Sequence, residues 1–529
     1  MKLMKRVREP ITQWLSDPHE RRYAAGLALI VGIGTWLRAG GLSTGTLFRD
    51  DAWVALTAHF PLGTAAKMVG TAPGFVLLER SWIQLTEPHL WLMQLPTFCV
   101  SVLGMILVAA VVRFLGLPRT ASLFAVALVA FSRIDITYAT HLKPYAHDIV
   151  AASLLFAAAH WFRRGGHASW FAGIATISLV TSFSILPLVI GLSVWIGVIA
   201  LRTQRTSALL APGGAAIAVV SVVAYFVRNG ISPRLDTSWQ ASYLDTDSLS
   251  SFLSSFWSIT TSLLWGLGDT APGLHIPYLG RLIQFAMLFL IVLSLRQWRQ
   301  SSIAWAGILG AYAAALVHLA PLGTGRTDAY LHPALAIVLV IGGLELCAIA
   351  RNYDPQRAIF TVACFALVVS LTGVDRLLHR EPYAGGNFRP VLQAANDTLR
   401  QGGTVLIEGS ARWPWAFYGA RQLSLRFSDQ YNTGFAPVTT DSHVVLMPGS
   451  IIEGGYNAHA TINKLQKASR VLYIQSDDWP SMGRPLHGAA QGSCYKPSAE
   501  GFIHIPGYYI QHWTRYCTYR PGLDFDRQP

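Results

Sequence analysis

Two adjacent carboxylates, Asp50 and Asp51 in Phe48-Arg49-Asp50-Asp51-Ala52-Trp53, follow shortly after the first long apolar segment. The chain holds only 28 Asp and Glu among 529 residues. A carboxylate pair beside an apolar helix is costly unless it is used, as base, metal ligand or substrate anchor. On a helix the two side chains point about 100° apart, so they cannot share one target. One is expected to face a reacting centre. The other holds a partner such as Arg49, or caps a helix over Ala52–His59 without taking part in chemistry.

A second cluster is Tyr138-Ala139-Thr140-His141-Leu142-Lys143-Pro144-Tyr145-Ala146-His147-Asp148, with Asp135 just before it. One short turn carries several ionisable groups, more than a bare connection at membrane depth needs. Lys143 suits a phosphate or an aspartate. His141 and Tyr145 suit substrate contacts. A metal site at His141, His147 and Asp148 is conceivable, but the ligand spacing is not diagnostic. The third cluster is Pro321-Leu322-Gly323-Thr324-Gly325-Arg326-Thr327-Asp328-Ala329-Tyr330-Leu331-His332-Pro333. Its glycines let backbone amides approach an anion, and Arg326 offers a planar fork for phosphate oxygens. Taken together, the three clusters suit a reaction with a base, an attacking hydroxyl and a phosphate leaving group.

These clusters need elements to hold them. The chain is 52% hydrophobic and only 13% charged, with a mean hydropathy of +0.38. That excludes an ordinary soluble domain and predicts a mainly α, polytopic transmembrane bundle. The net charge is +13, but Lys and Arg fall in small groups between apolar runs. Without a basic stripe interleaved with aromatics, nucleic acid is not an expected partner.

We read about eleven spans. They cover Tyr23–Arg38, Leu92–Val112, Thr120–Tyr138, Ala146–Phe162, a pair within Ser169–Leu201 split near Pro187, Ala208–Val227, Tyr278–Leu295, Ile303–Ala320, Leu331–Ala350 and Ala358–Val374. Basic groups occur at every second junction, which places the N-terminus in the cytoplasm and all three clusters outside. Residues 249–267 read as an interfacial helix. The expected division is a catalytic membrane domain over residues 1–376 and an extracytoplasmic α/β domain over 377–529. The latter shows a helix over Phe388–Arg400 and strands over Thr404–Glu408, His443–Met447 and Arg470–Ile474. Cys494 and Cys517 lie in that polar region and are candidates for a disulfide.

At these residues the chain resembles the GT-C superfamily of integral-membrane glycosyltransferases, in the group with protein O-mannosyltransferases and aminoarabinose transferases. The resemblance rests on Asp50-Asp51 and on the segment Ala72-Pro73-Gly74-Phe75-Val76-Leu77-Leu78-Glu79-Arg80-Ser81-Trp82. It also rests on Lys143-Pro144-Tyr145, on Gly325-Arg326, and on the tail opening Asn387-Phe388-Arg389-Pro390. One departure is Asp51, where the family more often has Glu. The resemblance implies a polyprenyl-phosphate-linked monosaccharide as donor and a glycan, lipid or protein as acceptor. It implies inverting displacement, with Asp50 as base, Asp51 in support, and Lys143 and Arg326 neutralising the phosphate. No cofactor is required, a divalent metal is allowed, and membrane lipids are the surroundings, the bacterial plasma membrane being the expected place. The alternatives are a lipid-linked oligosaccharide transferase or polymerase, and a glycolipid transporter or flippase.

Overall fold

The computed structural model describes residues 17–42, 47, 49–61, 72–86, 89–229, 239–268, 279–378, 388–408, 411–419, 423–427, 435–439, 441–446, 465, 468–476, 495–497, 503–505 and 508–515. Cys494 and Cys517 lie outside these residues.

The chain enters through α1 (Pro18–Ala39), whose N-cap Asp17 accepts from the His19 amide. Two short helices follow, α2 (Arg49–Leu56) and α3 (Pro73–Thr86). Then come α4 (Leu90–Phe114), α5 (Arg119–Phe131), α6 (Arg133–Thr137) and α7 (Tyr145–Arg163). A long apolar stretch divides into α8 (Ser169–Thr181) and α9 (Leu186–Arg202). The break falls just before Pro187, which sits in the first turn of α9, where its missing N–H costs nothing. The bundle is completed by α10 (Leu210–Asn229), α11 (Leu249–Gly268), α12 (Leu279–Leu293), α13 (Trp298–Leu316), α14 (His332–Tyr353) and α15 (Pro355–Leu378).

Four described stretches are long and apolar enough to cross a membrane on their own: Leu90–Phe114, Arg281–Leu316, Ala329–Tyr353 and Pro355–Leu378. The other apolar helices are shorter. The span expected over Thr120–Tyr138 stops at Phe131, because Ser132 turns extended and its hydroxyl accepts from the Asp135 amide to start α6. The helix expected from Ile303 begins earlier, at Trp298, and ends at Leu316; His318, just beyond, has a left-handed φ of 54°.

Two features fix how the helices meet. Gly191 of α9 and Gly310 of α13 bring their backbones together. A Cβ on Gly191 would lie 2.1 Å from the Ala306 carbonyl oxygen, and one on Gly310 would lie 2.5 Å from that of Pro187. Arg38 at the end of α1 is fully buried. It donates to the Ser101 hydroxyl (2.8 Å) and to the carbonyls of Val129 (3.0 Å) and Ala130 (2.8 Å). Those carbonyls belong to the last turn of α5, where intrahelical partners run out, so one cation ties α1, α4 and α5 together.

After α15 come α16 (Phe388–Arg400), β1 (Thr404–Ile407), α17 (Arg412–Tyr418), β2 (Leu423–Phe427), β3 (Phe435–Thr439), β4 (Val444–Leu446), β5 (Arg470–Ser476), β6 (Tyr495–Pro497), β7 (Ile503–Ile505) and β8 (Tyr508–Arg515). The main sheet has the order β4-β1-β5-β8-β6, with β7 also on β8; β2 and β3 form a separate hairpin pair. β4, β1 and β5 are parallel and β8 is antiparallel to β5. β1 is buried at every position, as a central parallel strand requires. The sequence reading lacked α17, the β2–β3 pair and β6 to β8. α17 matters most. Its Trp413 and Ala416 leave the sheet and pack with Leu47, Val54, Phe75 and Leu142 in a separate apolar cluster around α2.

Candidate active site

The acidic pair lies in the first turn of α2, where carboxylates favour the helix dipole. The helix already begins at Arg49, so neither Asp50 nor Asp51 stands before it as a cap. Arg49 opens the helix; its side chain lies outside the described residues. As the helical spacing demands, the two carboxylates part company.

Asp51 turns inward and is fully buried. One of its oxygens accepts from the Leu142 backbone N–H at 3.0 Å, and the other lies 3.0 Å from His141 Nδ1. Asp50 remains a quarter exposed and meets Arg326 Nη1 at 3.2 Å. The pair therefore performs two tasks: Asp51 ties α2 to the turn before α7, and Asp50 faces accessible space beside a guanidinium.

Arg326 is held from several sides. Its guanidinium lies 5.0 Å from the Trp239 ring centroid, and Tyr138 shares a hydrogen bond with it. Burial works against its charge, but Tyr145, Asp50 and Tyr138 together outweigh that and raise its pKa. Tyr138 is itself raised by burial, with Arg326 acting the other way. The turn that presents Arg326 is internally bonded. Gly323 and Gly325 both have φ of +78°, and a Cβ on Gly325 would also meet Ile134 Cδ1 at 2.9 Å. The Thr324 hydroxyl accepts from the amides of Arg326 (3.2 Å) and Thr327 (3.0 Å). Asp328 accepts from the Gly323 amide at 3.0 Å and from the Thr324 hydroxyl at 3.2 Å. The Gly323 amide, expected to approach an anion, is thus already taken by Asp328. Burial raises the Asp328 carboxyl, opposed by His332 and by its hydrogen bonds.

The Tyr138–Asp148 turn supplies the other wall. The rings of Tyr138 and Tyr145 meet edge to face at 5.0 Å, and Tyr138 lies 5.1 Å from the His141 ring. Lys143 is buried, with Nζ 3.9 Å from the Trp53 ring centroid. Its charge lies against α2 rather than in open space. His147 packs on Phe75, and Asp148 accepts from the Ser184 hydroxyl at 2.6 Å, so neither joins His141. Among the described residues no three His, Cys, Asp or Glu side chains gather as metal ligands.

Two groups have no role of their own in the sequence reading of the site. His332 Nδ1 lies 2.7 Å from Asp135 at the start of α14, a second buried histidine–carboxylate pair beside that of Asp51. Glu79 on α3 is 2% exposed. Burial raises its carboxyl to about 8, a hydrogen bond from Thr97 lowers it, and the nearby Asp51 charge adds to the rise. Its neighbour Arg80 donates to the carbonyls of Thr57 and Phe60 and braces the chain after α2. In the sequence Glu79 belongs to the segment that carries the resemblance, and the scarcity of acids in an apolar run is what sets it apart there.

No family model matches the sequence, and no curated protein does. Solved structures do resemble it. The apo structure of ArnT from Cupriavidus metallidurans aligns over 92% of this chain and 98% of its own, with 13% identity and a TM-score of 0.50. The oligosaccharyltransferase of Archaeoglobus fulgidus, in complex with Zn and sulfate, aligns over 91% of this chain and 73% of its own, with 12% identity and a TM-score of 0.50. Both are GT-C superfamily membrane glycosyltransferases, and the chain shares their fold.

Proposed function

We propose that this chain is a multi-pass membrane glycosyltransferase, moving a monosaccharide from a polyprenyl-phosphate donor to an extracytoplasmic acceptor hydroxyl on a glycan, lipid or protein. The observation that carries the reading is the Asp50–Arg326 pair, a partly exposed carboxylate against a guanidinium delivered by a distant turn. The GT-C fold supports it, as does the apolar bundle beneath the pair.

In this mechanism the donor phosphate takes over Arg326 and releases Asp50. Asp50 then accepts the proton of the acceptor hydroxyl. The acceptor oxygen bonds to the anomeric carbon from the side opposite the phosphate, and the bond from that carbon to the phosphate oxygen breaks. The configuration inverts, and polyprenyl phosphate leaves with its charge offset by Arg326. Lys143, held over Trp53, adds positive potential to the same region. Asp51 and His141 set the position of α2, and Tyr145 lines the approach of the substrate; Arg49 is assigned to substrate binding from the sequence alone. The Archaeoglobus neighbour was solved with Zn, but Asp50 and Asp51 here are engaged by Arg326, His141 and Leu142. They do not form a ligand set, and no step runs through a metal.

The basic groups at alternate junctions support a cytoplasmic N-terminus, an extracytoplasmic segment over residues 377–529 and a plasma-membrane location. The second reading, a lipid-linked oligosaccharide transferase, is favoured by the fold likeness to the Archaeoglobus enzyme. Purified protein incubated with labelled polyprenyl-phosphate monosaccharides and membrane extracts tests the choice. Transfer of one sugar, lost in Asp50→Asn, is the expected result. Transfer only from lipid-linked oligosaccharides moves the chain to the second reading, and no transfer from either donor refutes both.

A further inference from the structure

The single turn of α6 reaches the segment that presents Arg326 at three points. Ile134 meets Gly325, where an added Cβ would lie 2.9 Å from Ile134 Cδ1. Asp135 Oδ1 lies 2.7 Å from His332 Nδ1. Tyr138, which closes α6, shares a hydrogen bond with the Arg326 guanidinium. We propose that His332 is a positioning residue for the transfer reaction: its bond to Asp135 latches α6 to the start of α14 and so sets where Arg326 stands. The proposal rests on the activity proposed above and adds a residue on which that activity depends.

Three observations lead there. The first is burial. The side chains of His332 and Asp135 are 2% and 1% exposed, so neither touches a substrate, and each acts through what it holds. Their separation is that of a hydrogen bond to an ionised carboxylate. The second is cost. The other Asp135 oxygen, Oδ2, is buried without a hydrogen-bond partner. The charge of buried Arg38 acts on Asp135 and offsets part of that cost. Apolar side chains of similar volume would serve stability as well or better, so the polar pair marks a geometry that has to be kept. The third is the stiffness of what the latch holds. Asp328 accepts from the Gly323 amide and the Thr324 hydroxyl, and its carbonyl accepts from the Leu331 N–H at 2.9 Å. Residues 323–332 are therefore bonded to one another along their length, and a displacement of His332 is passed on to Arg326. With the latch open, only the Ile134 contact and the Tyr138 hydrogen bond would hold this segment against α6.

The test is the kinetics of transfer from a polyprenyl-phosphate sugar by the full chain in nanodiscs. His332→Leu should raise the donor KM about tenfold, the usual effect of losing a charged hydrogen bond, and leave the acceptor KM and the kcat at saturating donor near wild type. His332→Asn, whose side-chain amide donates from the place of Nδ1, should recover most of the donor KM. In an Arg326→Ala background His332→Leu should raise the donor KM no further, because a residue that acts through Arg326 then has nothing left to position. If His332→Leu does not insert, Asp135→Asn carries the same test: it keeps the size and one acceptor oxygen, and should raise the donor KM roughly fivefold. An unchanged donor KM in these variants, with wild-type transfer intact, overturns the inference and leaves the proposed activity standing. An equal rise in the Arg326→Ala background overturns it as well, since His332 would then act by a route that bypasses Arg326. A wild-type chain that transfers no sugar overturns the activity itself, and the inference with it.

Discussion

Replacing each member of the acidic pair in turn should produce opposite defects. Asp51 is fully buried, with one oxygen on the Leu142 amide and the other on His141. Asp51→Ala leaves that amide without an acceptor and His141 without its partner. Breaking a buried pair by removing one side costs about 3–5 kcal/mol. At about 1.4 kcal/mol per tenfold, the folded-to-unfolded ratio should fall roughly a hundredfold to a few thousandfold. Asp51→Asn keeps an oxygen for Leu142 and loses only the charge facing His141, so it should cost less, about 1.5–3 kcal/mol. Asp50 is different. Its side chain is 26% exposed and that of Arg326 is 31% exposed, so water screens the pair and its loss should cost about 1 kcal/mol or less. Asp50→Asn should therefore melt close to wild type while sugar transfer drops about 100-fold to 10,000-fold, as expected for a lost general base. The assay is a thermal melt in detergent by tryptophan fluorescence, paired with transfer from a labelled polyprenyl-phosphate sugar. An Asp51→Ala protein that melts with wild type refutes the tether. Full transfer by Asp50→Asn refutes the base.

Other predictions use different handles. Arg326→Ala should raise the donor KM more than tenfold, and Arg326→Lys should recover only part, because an ammonium lacks the planar fork; an unchanged donor KM would remove Arg326 from phosphate binding. Glu79 is raised by burial to about 8 from an ordinary 4.5, so between those values the folded chain keeps a proton that the unfolded chain releases. Its contribution to stability is therefore present at low pH and lost as pH rises through that window. Glu79→Gln should flatten the melting profile there, and a variant whose slope matches wild type contradicts the burial argument. Gly325→Ala meets both a φ of +78° and Ile134 at 2.9 Å, whereas Gly213 has no atom within 4 Å of an added Cβ. The first substitution should impair transfer and the second should not; equal activity would show that the turn tolerates a side chain. A reporter active only outside the cytoplasm, fused after Pro529, should be active, and its silence would reverse the assigned sidedness.

The sequence shows its apolar helices and their main interruptions well, because both are local. The break before Pro187 follows from length and the missing N–H. The early end at Phe131 was harder to see: Ser132 acts as a cap only once the Asp135 amide is in place to donate to its hydroxyl, and an apolar run conceals this. The strands β1, β4 and β5 stand out as short buried runs. β8 does not, since Gln511, His512, Thr514 and Arg515 interrupt its apolar residues. At the site, residue types and clusters were legible and their pairing was not. Asp50 meets Arg326 and Asp51 meets Leu142 across separations that only the assembled bundle closes. Glu79 stood inside a recognisable segment without a role of its own, and what marks it is its burial, a property of packing.

The separations along the chain also impose an order on how the protein is made. Leu142 follows Asp51 by 91 residues, but Arg326 follows Asp50 by 276. A ribosome feeding this chain into a membrane delivers both carboxylates early. It delivers the first tether when the Tyr138–Pro144 turn emerges, and the guanidinium only after most of the bundle has been inserted. The half of the site that carries the acids is thus built long before the half that carries the cation. A nascent or truncated chain ending before Arg326 holds Asp50 without its counter-charge.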